Sequence, residues 1–545
     1  MRLGTRTRTR TRSSSKVDGV ALALDQALFA SCAEEMGVTL MRTAHSPNIT
    51  ERLDFSCAVF DARARLVAQA AHIPVHLGSL PRAVEAALTL GPLGPGDTVL
   101  LNDPFAGGTH LPDVTLVSPV FLTPPGRATA GPEFLVASRA HHADVGGAAP
   151  GSMPLAREIY EEGFRAPPVF LERGGQPQRD VLALLLANVR TPEERRADLA
   201  AQLGAQRTGA ARLGELARRR GVVALTRAAD ALMDYAERCV CAALARLPRG
   251  TFRFADALDD DGLGSGPVRI AVTLTLGGGR ARVDLTGSSP QVAGPVNAVE
   301  PVARAAAAYA LRCVLGGEIP VNDGTFRPLE VVAPAGTVVN ARPPAAVAAG
   351  NVETSQRIVD AVLGAFARAL PGRIPAASSG TMNNLLIGGV DPRDGGPFAY
   401  YETLAGGHGA GPGWNGASAM QAHMTNTRNT PVESLEHAYP LRVRATRIRR
   451  GSGGRGRWRG GDGVVREIEL LSGSRVTIIS DRRTRGPYGL AGGDPGAPGE
   501  NRVRRSPRGR EEVLPGKVQV DLEPGAVISV ASPGGGGYGR RRGGT

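Results

Sequence analysis

The spacing of apolar residues along the 545-residue chain predicts several helices. Over residues 17–43 the apolar side chains recur at the period of one helix face. A long helical hairpin is expected over residues 181–247, where Thr191 and Pro192 form a typical helix start. Shorter helices are predicted at residues 80–90, 298–316 and 351–369.

Strand-like patterns fill the stretches between these helices. Apolar runs at residues 55–60 and 66–71 lie on either side of a turn, and residues 98–140 contain further runs of this kind. Apolar and polar residues alternate over residues 250–290. Beyond residue 376 the chain is rich in glycine, and short strands are expected at residues 398–403, 464–471, 475–480, 518–522 and 526–530.

Together these patterns predict an α+β fold in four segments. Residues 1–16, with their Thr-Arg alternation, are expected to form a disordered basic tail because they cannot form a core. Residues 17–375 should form a mixed, multi-layer α/β main body that carries the candidate chemistry. Residues 376–539 should form a β-rich, glycine-rich C-terminal portion, and residues 540–545 a second disordered tail.

The formal net charge of +13 comes from three short segments rather than from a basic face. Three segments together hold 14 basic groups and no acidic residue: residues 1–16, 502–510 and 540–542. Subtracting their charge of +14 from the net charge of +13 leaves −1 for the rest of the chain. We therefore expect no nucleic acid among the partners, because binding it requires a basic face on the folded body. Residues 502–510 are expected to lie in a loop.

Other totals favour a cytoplasmic protein. No run reaches the roughly 18–20 apolar residues of a membrane span, so no membrane association is expected. The N-terminal region lacks the apolar stretch of a secretory signal. The five cysteines are odd in number and form no CxxC motif, which makes a disulfide framework or a structural zinc site unexpected.

Two polar clusters, residues 102–113 and 141–147, hold three of the nine histidines. In the first cluster Pro112 excludes a helical conformation just before it, so His110 and Asp113 lie on a turn and their side chains can converge. In the second cluster His141 and His142 are adjacent at a strand end and face opposite ways. At most one of them is therefore expected to share a pocket with His110.

Two histidines and a carboxylate form a candidate site for Mn, Fe or Zn. The metal candidates are His110, Asp113, His141 and His142. The catalytic candidates are Asp144, Asp103 and His76. Asp144 is proposed to orient a ligand histidine or to act as a base. The alternative is that these clusters hold only structural histidines and loop-capping aspartates.

Two further segments are candidates for ligand contact. His72 and His76 are expected on one face of an extended segment, where either could add a metal ligand or relay a proton, or be purely structural. Asn383, Asn384 and His408 lie in polar or glycine-rich loops and are the substrate-binding candidates. The alternative for these loops is that glycine serves only to make tight turns.

Several common enzyme motifs are missing from the sequence. It contains no GxxxxGK[ST] motif, and its only lysines are Lys16 and Lys517, so a phosphate-binding P-loop is excluded. The glycine-rich stretch 451–463 does not follow a strand and open a helix, as a dinucleotide site requires. The GxSxG motif of many serine hydrolases is absent.

Taken together, the ordered motifs resemble the hydantoinase B family. This family includes the B-type components of N-methylhydantoinases, the C-terminal half of 5-oxoprolinase and the acetone carboxylase α subunit. The similarity extends over residues 17–539 and rests on segments 46–57, 72–79, 102–113, 138–147, 150–154, 420–440, 449–463 and 533–539. No A-type half precedes residue 17, so the chain is most similar to a stand-alone B-type component.

The resemblance implies a cytoplasmic member of a hetero-oligomer with a hydantoinase A-type partner. In this family the A component binds ATP and activates a carbonyl by phosphorylation, and the B component completes the opening of a small cyclic amide such as a hydantoin or 5-oxoproline. It also implies a metal held by His110, Asp113 and one of His141 or His142. The alternatives are an α-type subunit of an ATP-dependent ketone carboxylase, or a non-catalytic assembly subunit.

Overall fold

The structure is a computed structural model that describes residues 19–70, 73–76, 78–123, 131–317 and 319–541. The expected tail at residues 1–16, His72 and residues 542–545 of the second tail lie outside the described residues. The helices are Gly19–Thr43 (α1), Pro47–Thr50 (α2), Leu80–Ala87 (α3), Arg179–Ala187 (α4), Pro192–Arg220 (α5), Val222–Ala245 (α6), Glu300–Leu315 (α7), Asp323–Phe326 (α8), Ser355–Ala369 (α9) and Val432–Ala438 (α10).

A seven-stranded sheet forms the first layer. Its strands are Phe55–Asp61 (β1), Leu66–Gln69 (β2), Thr98–Leu101 (β3), Asp113–Val120 (β4), Phe134–His141 (β5), Val169–Arg173 (β6) and Gln176–Pro177 (β7). They lie in the order β2-β1-β5-β4-β3-β6-β7, and every pair is antiparallel.

This sheet is buried on both faces, as its apolar sequence requires. Val59 of β1 belongs to the core beneath α1 and α5, whereas its neighbours Ala58 and Phe60 face the core on the side of α3. Helices α1 and α5 cross closely because α5 has glycine at position 209, where a Cβ would lie 2.4 Å from Sδ of Met36.

A second sheet supports helices α7 and α9. It contains Gly250–Leu258 (β8), Val268–Gly277 (β9), Arg280–Asp284 (β10) and Leu329–Val332 (β11), in the order β11-β10-β9-β8. Helix α9 packs on β8 and β9 and also contacts α7. A π-helical turn, Gly350–Thr354, leads directly into α9.

The C-terminal strands form two more sheets. The strands are Asn384–Val390 (β12), Pro397–Thr403 (β13), Leu441–Arg449 (β14), Gly463–Leu470 (β15), Ser474–Ile479 (β16), Glu500–Arg504 (β17), Glu511–Leu514 (β18), Lys517–Leu522 (β19) and Val527–Ala531 (β20). The orders are β13-β12-β16-β19 and β14-β15-β20-β17-β18, and a core of alternating apolar residues from both sheets lies between them.

These elements confirm the predicted α+β fold with a β-rich C-terminal portion. The prediction of a loop at residues 502–510 is wrong in part, because β17 and β18 form a hairpin there. The division of the chain at residue 376 stays a prediction, and the largest core includes Leu386 and Tyr401 from beyond it. None of the helices in the described ranges is long and apolar enough to cross a membrane.

Candidate metal centre

Strand pairing brings the two polar clusters together. Strand β4 begins at Asp113, β5 ends at His141, and the two residues are direct partners in the antiparallel ladder. His110 lies in the turn that leads into β4, where its carbonyl accepts a hydrogen bond from the backbone N–H of Asp113. The pairing of sheet neighbours therefore places three potential ligands at one strand end.

The carboxylate of Asp113 is the centre of this cluster. Its Oδ1 lies 3.0 Å from Nε2 of His110 and 3.3 Å from Nδ1 of His141, and its Oδ2 lies 3.5 Å from Nε2 of His76. One ligand atom from each of His110, Asp113 and His141 lies within 4.8 Å of the others. All four side chains are buried.

The hydrogen bonds of His110 are compatible with a cation between these groups. Its Nδ1 must donate to the carbonyl oxygen of Ala348, 3.2 Å away, because a carbonyl only accepts. Its Nε2 faces the carboxylate of Asp113 and has no hydrogen-bond partner among the described residues. A cation bound by Nε2 and Oδ1, which are 3.0 Å apart, would give this nitrogen a partner.

The charge states of His141, His76 and Asp113 match those of metal ligands. Burial lowers the pKa of His141 to about 3 and also lowers the pKa of His76, so both rings are neutral at physiological pH. Burial alone would raise the pKa of Asp113, but contacts with the three histidines hold it well below its usual value. Neutral imidazoles and an ionised carboxylate are the forms that bind divalent metals.

A small chamber adjoins the cluster. Its volume is about 20 Å³, enough for one ion or water, and its walls include Asp54, Asn351 and Tyr401. The Tyr401 ring stacks on His141 with centroids 4.6 Å apart. Burial raises the pKa of the Asp54 carboxyl to about 7. The chamber therefore has one further acidic group, Asp54, in its wall.

Neighbouring side chains fix the orientation of Asp113. Thr109 Oγ1 donates to its Oδ2 at 2.6 Å, and Nδ2 of Asn351 donates to the same oxygen at 3.3 Å. His76 is in turn hydrogen-bonded through Nδ1 to the hydroxyl of Ser56 at 2.8 Å. His76 lies in a 3-10 turn, Pro74–His76, so the expected extended segment is wrong at this residue.

His142 lies outside the cluster. Its Nε2 is 3.0 Å from Oε1 of Gln202 on α5, on the opposite side of β5 from the chamber. This follows the alternation of side chains along a strand. The geometry therefore favours His141 over His142 as the companion of His110.

Two of the catalytic candidates also lie elsewhere. Asp144 accepts hydrogen bonds from Nη1 and the backbone N–H of Arg190, each at 2.8 Å, and so contacts an arginine rather than a cluster histidine. Asp103 accepts from the backbone N–H of Phe105 and pairs with Arg165 at 3.3 Å. Neither carboxylate contacts a histidine of the cluster among the described residues, and each is paired with an arginine instead, so their catalytic assignment stays a prediction.

The substrate-binding candidates are separated as well. Asn383 accepts from Arg483 at 2.9 Å and donates to the Leu404 carbonyl. Asn384, the first residue of β12 rather than a loop residue, donates to Glu353 at 2.9 Å and accepts from Tyr401. Both amides are thus engaged within the protein, and His408 lines a different pocket.

Sequence reasoning does not single out Asp54, Thr109, Asn351 or Tyr401. Asp54 directly precedes β1, and a carboxylate at a strand end is a signal that could have identified it. Asn351 and Tyr401 reach the chamber only through contacts with segments that are distant in sequence, and no local pattern marks them.

Comparison with known proteins decides the family. Residues 18–541 match the family described as Hydantoinase B/oxoprolinase. The chain belongs to this family. The resemblance drawn from the sequence motifs is thereby confirmed over nearly the whole length of the chain.

Relatives in this family carry several activities in their names. The 5-oxoprolinase 1 of Arabidopsis thaliana is 39% identical over 551 residues, which cover 96% of this chain and 42% of that protein. The putative B-type D-/L-hydantoinase component of Pseudomonas sp. (strain NS671) is 30% identical over 547 residues, covering 96% and 90%. The chain thus spans about two fifths of the plant protein and nearly all of the bacterial one.

A solved structure has the same fold. The ATP-dependent caprolactamase from Pseudomonas jessenii superimposes with a TM-score of 0.89 at 30% sequence identity, covering 96% of this chain and 92% of that chain. The mixed α+β architecture is therefore the architecture of this group of proteins.

Proposed function

We propose that this chain is the B-type subunit of an ATP-dependent hydrolase that opens the C–N bond of a cyclic amide such as a hydantoin or 5-oxoproline. The observation that carries the proposal is the buried cluster of His110, Asp113 and His141, with an unpaired ring nitrogen facing a carboxylate. The names of the related 5-oxoprolinase, hydantoinase component and caprolactamase support the choice of a cyclic amide.

In this proposal His110, Asp113 and His141 hold a divalent ion, of which Mn, Fe or Zn suits two imidazoles and one carboxylate. Such an ion, when bound, supplies Lewis acidity and lowers the pKa of a water. The protein itself fixes the ligands: Thr109 and Asn351 orient Asp113, and the Ala348 carbonyl sets the tautomer of His110. Asp54 and Tyr401 complete the walls of the chamber beside these ligands.

We further propose that the ATP is bound by a hydantoinase A-type partner. The chain has no P-loop, whereas the related caprolactamase is named as ATP-dependent. The Pseudomonas relative is named as one component of a hydantoinase, which supports a hetero-oligomer. A cytoplasmic location is part of the proposal, because the odd number of cysteines and the lack of a CxxC motif make a disulfide framework unexpected.

The test is reconstitution of the chain with an A-type partner. We expect ring opening only when both chains, ATP and an intact cluster are present. Asp113→Asn should abolish turnover, and the matched control Asp180→Asn, at an exposed position on α4, should leave it unchanged. ATP-independent ring opening by the chain alone would contradict the proposal, and so would ATP-dependent carboxylation of a ketone in place of ring opening.

A further inference from the structure

A second pocket lies beside the metal chamber. Its volume is about 410 Å³, within the range of small-molecule sites. It is lined by residues from α7, from the segment that follows α9 and from the glycine-rich loop that contains His408. Nothing in the proposed chemistry at Asp113 uses these residues.

One loop separates this pocket from the chamber. Ala422 and His423 line the pocket, whereas the next residues, Met424 and Thr425, line the chamber. Helix α9 holds this wall, since Gln356 Nε2 donates to the Ala422 carbonyl at 3.0 Å. A molecule in the pocket is thus one loop away from the cluster.

The wall is also strained at His423. This residue has a φ of 56°, a left-handed conformation that non-glycine residues rarely adopt, and its Nε2 is 3.2 Å from Oδ1 of Asp360. Strained residues of this kind concentrate at ligand sites. The backbone geometry therefore agrees with a functional position for the wall.

His408, which lines the pocket, has a hydrogen-bond acceptor in its ring. Its Nε2 donates to the Gln421 carbonyl at 2.8 Å, because a carbonyl only accepts. Burial lowers the pKa of His408, so the ring is neutral and Nδ1 carries the lone pair. The group that such an atom recognises is an N–H donor, which every unsubstituted cyclic amide has.

Arg373 and Trp414 give the pocket an anion contact and an aromatic wall. Arg373 is exposed and forms no ion pair among the described residues, and the pocket lining in those residues includes no Asp or Glu. Trp414 is 46% exposed and packs against Gly411, where a Cβ would lie 2.4 Å from the indole ring. A flat ring with a negative substituent complements this lining.

We infer that this pocket binds and selects the substrate before the substrate reaches the cluster, and that Arg373 favours a cyclic amide that carries a carboxylate over a neutral one. The inference rests on the proposed function and adds a specificity-determining residue to it. The ring lies against Trp414, its N–H donates to His408, and its carboxylate pairs with the guanidinium of Arg373. This gives His408, a substrate-binding candidate in the sequence, a place in the second pocket.

Equilibrium binding to the purified chain, without ATP or partner, tests the inference. The probes are 5-oxoproline and 2-pyrrolidinone, which has the same ring but no carboxylate. Arg373→Met should weaken 5-oxoproline binding by roughly tenfold or more, the size of a charge-assisted hydrogen bond, and leave 2-pyrrolidinone unaffected. His408→Phe should weaken both probes. Arg368→Met, an exposed arginine on α9 outside the pocket lining, is the matched control and should change neither.

The result separates this inference from the proposed function. Asp113→Asn should still bind 5-oxoproline, because the pocket does not contain the cluster. The inference would be overturned if the Arg373→Met and Arg368→Met variants bound 5-oxoproline with equal affinity. It would also be overturned if the chain showed no saturable binding of 5-oxoproline. Metal content and ATP-dependent turnover of a neutral cyclic amide, measured in the same variants, would still report on the proposed function.

Discussion

The side-chain amide of Asn351 donates a hydrogen bond to Oδ2 of Asp113 at 3.3 Å, although 238 residues separate the two in the sequence. Asn351 lies in the π-helical turn before α9, a type of distortion that is frequent at functional sites. Its own Oδ1 is buried without a partner among the described residues. The start of α9 therefore supports the metal candidates directly, and its first turn also holds the wall of the second pocket.

The first prediction concerns metal content. Purified protein should contain close to one divalent ion per chain, and His110→Ala, Asp113→Asn and His141→Ala should each lose it, because the cluster has few donors to spare. Elemental analysis measures the loss. His142→Gln is the control, since its ring contacts Gln202 on the other side of β5. Retention of metal by the His141 variant and its loss from the His142 variant would reverse the assignment.

The second prediction concerns the orientation of Asp113. Thr109→Val removes the 2.6 Å hydrogen bond to Oδ2 while it keeps the shape of the side chain. Metal affinity should fall roughly 10- to 100-fold, as is usual when a group that orients a ligand is lost. Thr109→Ser retains the hydroxyl and should retain most of the affinity. Metal titration with a competing chelator measures both, and equal affinities for the two variants would show that the hydroxyl has no such role.

The pairing of His110 and Asp113 can be predicted from the sequence because it is local. Pro112 fixes the turn, and the adjacent apolar run predicts the strand. The separation of His141 from His142 follows from the alternation of side chains along that strand. The role of Asp144 cannot be predicted in this way, because its partner, Arg190, lies 46 residues further along the chain and no local pattern indicates it.

The same distinction applies to the fold. The helices around Thr191 are predictable because their period and their start signal are local. Strand β14 cannot be predicted from local signals. Its sequence is LRVRATRIR, with arginine at most of the exposed positions and only one fully buried apolar residue, Leu441. Pairing with β15 holds it in the sheet, and that pairing depends on a segment the local pattern does not identify.

The third prediction is a pH dependence of stability at Glu162. Burial raises the pKa of this carboxyl to about 8, although it accepts hydrogen bonds from the backbone N–H groups of Val347 and Ala348. The unfolded chain loses this proton near pH 4.5, the usual value, whereas the folded chain keeps it to about pH 8. The folded state binds more protons in this window, so stability falls as the pH rises through it.

Glu162→Gln should remove this loss of stability. One pKa unit corresponds to about 1.4 kcal/mol, so the variant should gain stability over the wild type, by up to a few kcal/mol, between about pH 5 and about pH 8. Denaturant unfolding at several pH values measures the difference. Glu193→Gln, whose side chain is 83% exposed, is the control and should show no such trend. Parallel pH profiles for Glu162→Gln and the wild type would contradict the prediction.

The last prediction tests whether Asp144 has a structural role. Its side chain is fully buried, pairs with Arg190 at 2.8 Å, and accepts a hydrogen bond from the backbone N–H of Gly146 at 3.2 Å. Breaking a fully buried ion pair lowers the free energy of unfolding by about 3–5 kcal/mol. Because Arg190 is 28% exposed, we expect a smaller loss of about 1–3 kcal/mol for Asp144→Asn. Arg190→Met should cost a similar amount.

The double variant separates the two roles of Asp144. If the carboxylate acts by holding Arg190 and its loop, the two substitutions should not add, and the coupling free energy should reach about 0.5–3 kcal/mol. Denaturant unfolding of the four proteins gives this value, and metal content should remain at the wild-type level throughout. Asp144 would instead have a catalytic role if the two changes in unfolding free energy were additive and turnover were lost only in the proteins that lack Asp144. Because no contact of Asp144 joins it to Asp113 or to the cluster histidines among the described residues, we expect the coupled result.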